Sequence, residues 1–482
     1  MPPSESATAE PTGTAPQHVL PDPGSFRDPL SRVFVGDDAV FRGLTDVALA
    51  DFEAVEKTKF FAAASERGDI VATTRQSDPV ELPGQWAAVL RHERIRVLSY
   101  PYEWPFEMLR DAARLQLTLS RQALAEGVIT KDASSYNVQF VGSKPVFIDV
   151  GSFERVRPGE PWAGYRQFCE LFLNPLYLQA VSGVPFQRLL RSNIHGVSPT
   201  LAANLIGRGG RRQKGVFTHV KVHARAERKY ADADRDHDVR AELKRAGFGP
   251  ALIDAQMRNL QKAVERLSWK QQESTWSGYS DRSHYTQLDL AAKESFVGRA
   301  VGEVGQPDLV LDLGANDGHF SRVALGAGAG YVVAVDSDDV VVDRLYRDLR
   351  DAGESRVLPL VLDLSDPSPG IGWRSRERPS FVDRVRPDLT LCLAVVHHLA
   401  LSNNVPLDDI VEFLADFGSP LVVEFPHRND EMATRLLSRK RSGLFDSYDV
   451  ANWERALSSR FAIRDTEVLP SGTRTLYRAD PR

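Results

Sequence analysis

The stretch VLDLGANDGHF at 310–320 restricts the fold more than any other part of the chain. An apolar run bounded by turn residues reads as a buried strand, and GANDG closes a tight turn. HFSRVALGAGA then opens a helix whose first amides point back over the strand end. Strand, small-residue turn and helix in that order make one unit of a parallel sheet, with a ligand crevice at its carboxyl edge. Dinucleotide binding asks for G-x-G-x-x-G. This turn instead has Gly314 and Gly318, with Asn316 between them and carboxylates at Asp312 and Asp317. Carboxylates repel a pyrophosphate and suit an ammonium group or sugar hydroxyls, which points away from dinucleotides.

The runs that follow repeat the pattern. GYVVAVDSDD ends in Asp336, where an acid can accept hydrogen bonds from two vicinal hydroxyls. SRVLPLVLDLSD ends in Asp363, an acceptor suited to an amino group on a base. PDLTLCLAVVHHL predicts a strand from about Asp388 that runs into His397 and His398, and PLVVEF at 420–425, FAIRDTEVL from 461 and TRTLYRA from 473 read as further strands. Alternation of these runs with amphipathic helices after Trp276 predicts a doubly wound α/β sheet.

Taken together, these residues resemble the class I S-adenosylmethionine-dependent methyltransferases over roughly 270–482. The resemblance implies a seven-stranded Rossmann-like sheet with an antiparallel last strand, and S-adenosylmethionine as cofactor. It implies that Asp312, Gly314, Asn316 and Gly318 surround the methionine part, Asp336 holds the ribose and Asp363 lies by the adenine. Related enzymes lay a lid over the cofactor just before the first strand. Here that segment is STWSGYSDRSHYTQLDLAAKESFV, with Trp276 and Tyr279 as cofactor-wall candidates and His284 and Tyr285 as substrate or lid candidates. Packing of the leading helix on the sheet accounts for the same aromatics equally well. Glu424 and His427, in VVEFPHRND, are expected near the substrate mouth. A methyl group on a sulfonium is already activated, so the protein must mainly align the acceptor and exclude water. A hydroxyl acceptor also gains from a base, and His397 or His398 has the right chemistry for one, with loop capping as the equally open role.

The N-terminal half carries a second constellation. KDASSYNVQFVGSKPVFIDVGSFE contains Asp132, Asn137 and Asp149 around a hairpin, and Phe106 to Glu126 reads as a helix. The spacing resembles the catalytic loop and metal-binding strand of protein-kinase-like and aminoglycoside-phosphotransferase-like folds. That resemblance implies that Asp132 orients a hydroxyl while Asn137 and Asp149 hold magnesium against nucleotide phosphates. The chain departs from the pattern in having no glycine-rich phosphate loop and no clear strand lysine, Lys57 and Lys59 being the candidates. A degenerate module for substrate binding therefore fits better than a kinase, and Mg-ATP is the lesser expectation. An ordinary hairpin with an Asn-capped turn shows the same residues.

Length and composition bound the rest. A chain of 482 residues predicts two to three domains. The expected division is a disordered Pro/Ser/Thr-rich tail (1–25), an α+β domain (26–177), a helical connector (178–275) and the sheet domain (276–482). Cys169 and Cys392 are too few for a disulfide framework or a cysteine-rich metal site, and no metal is expected. The N-terminus has no basic start followed by an apolar core, and no apolar run reaches the length of a membrane span, so a cytoplasmic protein is the default. A net charge of −5 leaves nucleic acid only a local patch. The basic runs GRGGRRQKG and HVKVHARAERK lack interleaved aromatics, so they read as a solvated loop and an exposed helix face.

Over most of its length the chain also resembles a group of bacterial two-part methyltransferases, in part nodulation-protein-like, through SYPYEWPFEMLRDAA, PWAGYRQFCELFLNPL, VVHHL and EFPHRNDEMATRLL. That resemblance implies a methyl transfer to an oxygen or nitrogen of a glycan or small metabolite, in surface-polysaccharide or secondary-metabolite chemistry. The alternatives are an RNA or protein methyltransferase, a bifunctional kinase-methyltransferase, or a cofactor-holding protein without turnover. The oligomeric state is not legible in the sequence.

Overall fold

The computed structural model describes residues 19–78, 80–207, 220, 249–270 and 286–482. Most of the tail, the basic runs (Gly207 and Val220 excepted), and Trp276, Tyr279, His284 and Tyr285 lie outside the described residues.

The N-terminal half begins with a five-stranded antiparallel sheet. Its strands are β1 (Leu20–Pro21), β2 (Ser31–Val35), β3 (Ala39–Leu44), β4 (Thr73–Arg75) and β5 (Ala88–Glu93), in the order β1-β2-β3-β5-β4. Helices Asp46–Glu56 and Lys59–Glu66 start at Thr45 and Thr58, whose hydroxyls accept from the amides of Ala48 and Phe61; such caps satisfy orphan donors of the first turn. The helix expected from Phe106 runs over Phe106–Ala125. Two strand pairs follow, β6 (Val128–Thr130) with β9 (Phe153–Arg155), and the expected hairpin β7 (Val138–Val141) with β8 (Lys144–Phe147). The boundary expected at 177 falls inside the helix Asn174–Ser182, and the helix Pro250–Glu265 packs along Phe106–Ala125, with Arg121 donating to Asp254 and to Gln261 at 2.8 Å each.

The C-terminal half is a seven-stranded sheet. Its strands are β10 (Leu309–Leu313), β11 (Tyr331–Asp336), β12 (Val357–Val361), β13 (Leu389–Cys392), β14 (Leu421–Pro426), β15 (Phe461–Val468) and β16 (Arg474–Pro481). The order is β12-β11-β10-β13-β14-β16-β15, parallel from β10 to β14, with β16 antiparallel to β14 and β15 antiparallel to β16. Successive parallel strands step outward from β10 in one direction to β12, then begin again on its other side with β13. That reversal opens a crevice over the carboxyl ends of β10 and β13.

The two halves share one continuous apolar core, which includes Phe106 and Phe140 from the first and Tyr346 and Leu360 from the second. Gly142, at the hairpin tip, shows how close they lie. With φ of 57° it occupies the left-handed region, a side-chain carbon there would meet the Ser355 backbone, and its amide donates to Tyr331 Oη at 2.8 Å. Polar groups pair between the halves: the buried Arg384 with Glu103, as burial of a charge requires, and Arg350 and Tyr346 with Asp111 at 2.9 Å each.

A candidate cofactor pocket where the strand order reverses

The crevice contains a cavity of about 430 Å³. Its floor is the turn after β10. Gly314 has φ of 78°, and the amides of Gly314 and Ala315 both donate to Val335 O at 2.9 Å, which folds the turn onto β11. Asn316 has φ of 49°, a left-handed conformation that Asn tolerates better than most residues. That turn aims the Asn316 amide at Asp336, where Oδ2 accepts at 3.0 Å while Oδ1 accepts from the Asp338 amide at 3.0 Å. Burial pushes the Asp336 carboxyl up and these amides pull it back. A carboxylate has about four lone-pair sites, so Asp336 keeps acceptor capacity toward the cavity.

Gly314, Asn316, Asp336, Asp363 and His398 all line the cavity, and the strand order spreads them along it. Asp336 and Asp363 lie on the β11 and β12 side, whereas Val395 and His398 follow β13. Asp363 comes two positions after the end of β12 and is fixed by the amide of Ser365 at 2.9 Å and its hydroxyl at 2.6 Å. Strand β13 ends at Cys392, earlier than expected. Ala394 turns the chain with φ of 56°, and a π-helical turn, His398–Ser402, brings His398, Leu399 and Ser402 into the wall.

The remaining expected residues do not line the cavity. Asp312 is buried beneath the turn, accepts from Ser321 Oγ at 2.6 Å, and is pushed up to about 6 by burial. Gly318 starts the helix His319–Gly326 with φ of 75°, and a side-chain carbon there would come within 2.8 Å of Leu345. His397 is 1% exposed, its ring centroid 4.0 Å from that of His398, and neither of its nitrogens has a hydrogen-bond partner among the described residues. Burial, with His398 and the cations of Arg474 and Lys293, holds His397 well below the usual imidazole range. His398 is itself lowered to about 4, by burial and then by Arg474. Glu424 is 0% exposed, and burial would raise its carboxyl, yet Lys293 and Arg474, donating at 2.7 and 3.0 Å, hold it low. His427 bonds Thr475 Oγ1 at 2.7 Å. In the N-terminal half, Asp132 accepts from Asn137 Nδ2 at 2.6 Å, and Asp149 pairs with Arg42 at 2.7 Å.

Sequence reasoning missed Lys293, His319 and Phe320. Lys293 comes from the helix Gln287–Val304, bonds Glu424, and holds its ammonium 5.0 Å from the Phe320 ring centre, at the cavity wall. His319 also lines the cavity, and its Nε2 lies 2.7 Å from Glu294 Oε1. Nothing local in the sequence joins these residues, since the contacts run from the helix Gln287–Val304 to strand β14 and to the helix His319–Gly326.

No protein-family model matches the chain. It is 32% identical over 460 residues to the nodulation protein NoeA of Rhizobium meliloti (strain 1021), an alignment that covers 94% of each chain. Among solved structures, the N-methyltransferase NodS from Bradyrhizobium japonicum WM9 is 11% identical, with a TM-score of 0.30, covering 41% of this chain and 98% of that one. Magnesium protoporphyrin IX methyltransferase (ChlM) from Synechocystis PCC 6803, with bound SAH, is 16% identical with a TM-score of 0.29, covering 44% and 90%. Structural likenesses this slight carry no weight beside the sheet order and the pocket.

Proposed function

This chain belongs to the family of the nodulation protein NoeA, and we propose that it is an S-adenosylmethionine-dependent methyltransferase acting on an oxygen or nitrogen of a glycan or small metabolite. The observation that carries this reading is the cavity at the strand-order reversal, with a bare glycine turn at one side and Asp336 and Asp363 at the other.

The groups present fit that cofactor. Gly314, at the cavity, keeps the turn close to Val395, and Asp317 offers a carboxylate to an ammonium group. Asp336 suits a vicinal diol, and Asp363 suits an amino group, between the apolar side chains of Leu362 and Leu364. When bound, S-adenosylmethionine supplies an activated methyl group. The chain has then to orient the acceptor, keep water out and accept a proton. His398 is the base in this reading: it lines the cavity, and with its pKa near 4 it is unprotonated at neutral pH. His397 packs against it, with ring centroids 4.0 Å apart and planes tilted by 39°, and in this reading limits the ring's movement. The N-terminal half, a degenerate kinase-like module in this reading, aids substrate binding; its shared core with the sheet domain supports a joint role.

The test is to incubate the purified chain with methyl-labelled S-adenosylmethionine and the small-molecule, glycan, RNA and protein fractions of a host extract. Label in a small molecule or glycan that disappears in Asp336→Ala is the expected result. Label in RNA or protein would overturn the substrate class, and no label in any fraction despite cofactor binding would favour a binding role.

A further inference from the structure

We propose that Arg42 is the resident cation of the Asp132, Asn137 and Asp149 cluster, so that this cluster takes neither a metal nor a metal-bound nucleotide. The kinase-like resemblance assigns Asn137 and Asp149 to magnesium, and the side chains do not fit that role.

Arg42 stands on β3 with its side chain 9% exposed. Its Nη2 lies 2.7 Å from Asp149 Oδ1, and its Nη1 donates to Ser31 Oγ at 3.3 Å. Gly151 makes the space: a side-chain carbon there would lie 2.7 Å from Arg42 Nη1. The glycine of the Asp-x-Gly motif therefore has a local cause, entry of a guanidinium. An Arg is charged at every physiological pH, so Asp149 already has its counter-ion.

The other members are committed as well. The Asn137 amide donates to Asp132 at 2.6 Å, and Lys131 pairs with Asp28 at 3.1 Å beside them. Magnesium demands octahedral oxygen coordination at about 2.0–2.1 Å. Among the described residues no group of three or more His, Cys, Asp or Glu is arranged to hold a metal ion. A metal at Asp149 would have to evict a buried guanidinium.

The pairing also has a mechanical consequence. It joins the five-stranded sheet to the segment that follows hairpin β7–β8, and the hairpin tip is the part that meets Ser355 and Tyr331 of the C-terminal half. Arg42 thus holds the platform on which the sheet domain sits.

The test uses the full chain and does not depend on methyl transfer. Calorimetric titration with Mn²⁺ alone, and with Mg²⁺ and ATP, should give no saturable binding up to millimolar concentrations. Binding of either that Asp149→Asn abolishes would overturn the proposal. In parallel, Arg42→Met and Asp149→Asn should each lower the melting temperature, and Arg42→Met with Asp149→Asn together should recover much of the loss, because the pair leaves no buried charge alone. Losses that simply add would mean that Arg42 is not the partner of this cluster, and would equally overturn it.

Discussion

Gly314 and Val395 meet so closely that a side-chain carbon on residue 314 would lie 2.4 Å from Val395 Cγ2. One residue follows β10 and the other follows β13, so this contact closes the crevice floor at the point where the strand order reverses. Gly314→Ala adds that carbon and also forces an L side chain to φ of 78°. Backbone strain of this kind costs on the order of 1–3 kcal/mol. The expected outcome is a melting temperature several degrees lower and a loss of S-adenosylhomocysteine binding, read by thermal denaturation and calorimetry.

The two adjacent histidines should separate by role. His398→Asn removes the imidazole at the wall and should slow methyl transfer by about 10²–10⁴-fold, the usual contribution of a general base. Protonation of His398 removes its function, so the wild-type rate should fall as pH drops through about 4, and the variant should lack that limb. His397→Asn should be milder in rate and shift the pH limb, because its ring only packs on that of His398. Equal pH profiles for all three proteins would remove His398 as base.

Asp312 sets a pH dependence of stability. Its folded-state pKa is raised to about 6 by burial, above the ordinary value of 3.8. The protonated carboxyl is thus the form that the fold prefers, and its contribution is fully present below the unfolded value and lost as pH rises through about 6. Asp312→Asn keeps a neutral group at every pH. Its melting temperature, relative to wild type, should rise between pH 4 and pH 7; a constant difference would show that Ser321 already stabilises the carboxylate fully.

Arg384 and Glu103 form a buried pair between the halves, with side chains 5% and 0% exposed. Arg384→Met leaves Glu103 without that charge, a change that costs about 3–5 kcal/mol in comparable pairs. Because the core is continuous, the wild-type chain is expected to melt in one transition, and the variant in one transition at lower temperature. A variant in which only one half melts early would contradict the shared core.

Much of the C-terminal sheet was legible because apolar runs, turn glycines and strand-end acids are local signals. Which strand-end acid faces the ligand was not. Asp312 and Asp336 read alike as residues, yet Asp312 is buried against Ser321 while Asp336 opens to the cavity. The reach of the fourth strand was overestimated, since Leu393 to Val396 are as apolar as the strand and only the positive φ of Ala394 ends it. Lys293 and His319 were missed because their partners, Glu424 and Glu294, are brought close by packing rather than by sequence spacing. In the N-terminal half the hairpin and the cluster at Asp132 were visible, whereas Arg42, on a distant strand, acquires its meaning only through Gly151 and Asp149.

The central claim is that the cavity between the ends of β10 and β13 holds S-adenosylmethionine. Calorimetric titration of the full chain with S-adenosylmethionine tests it most directly, with Asp336→Ala as the comparison. The expected result is saturable binding to one site per chain, weakened about tenfold or more in the variant, since hydrogen bonds to a charged group contribute about 1.5–3 kcal/mol. No binding to the folded wild-type chain, or equal binding to Asp336→Ala, would contradict it.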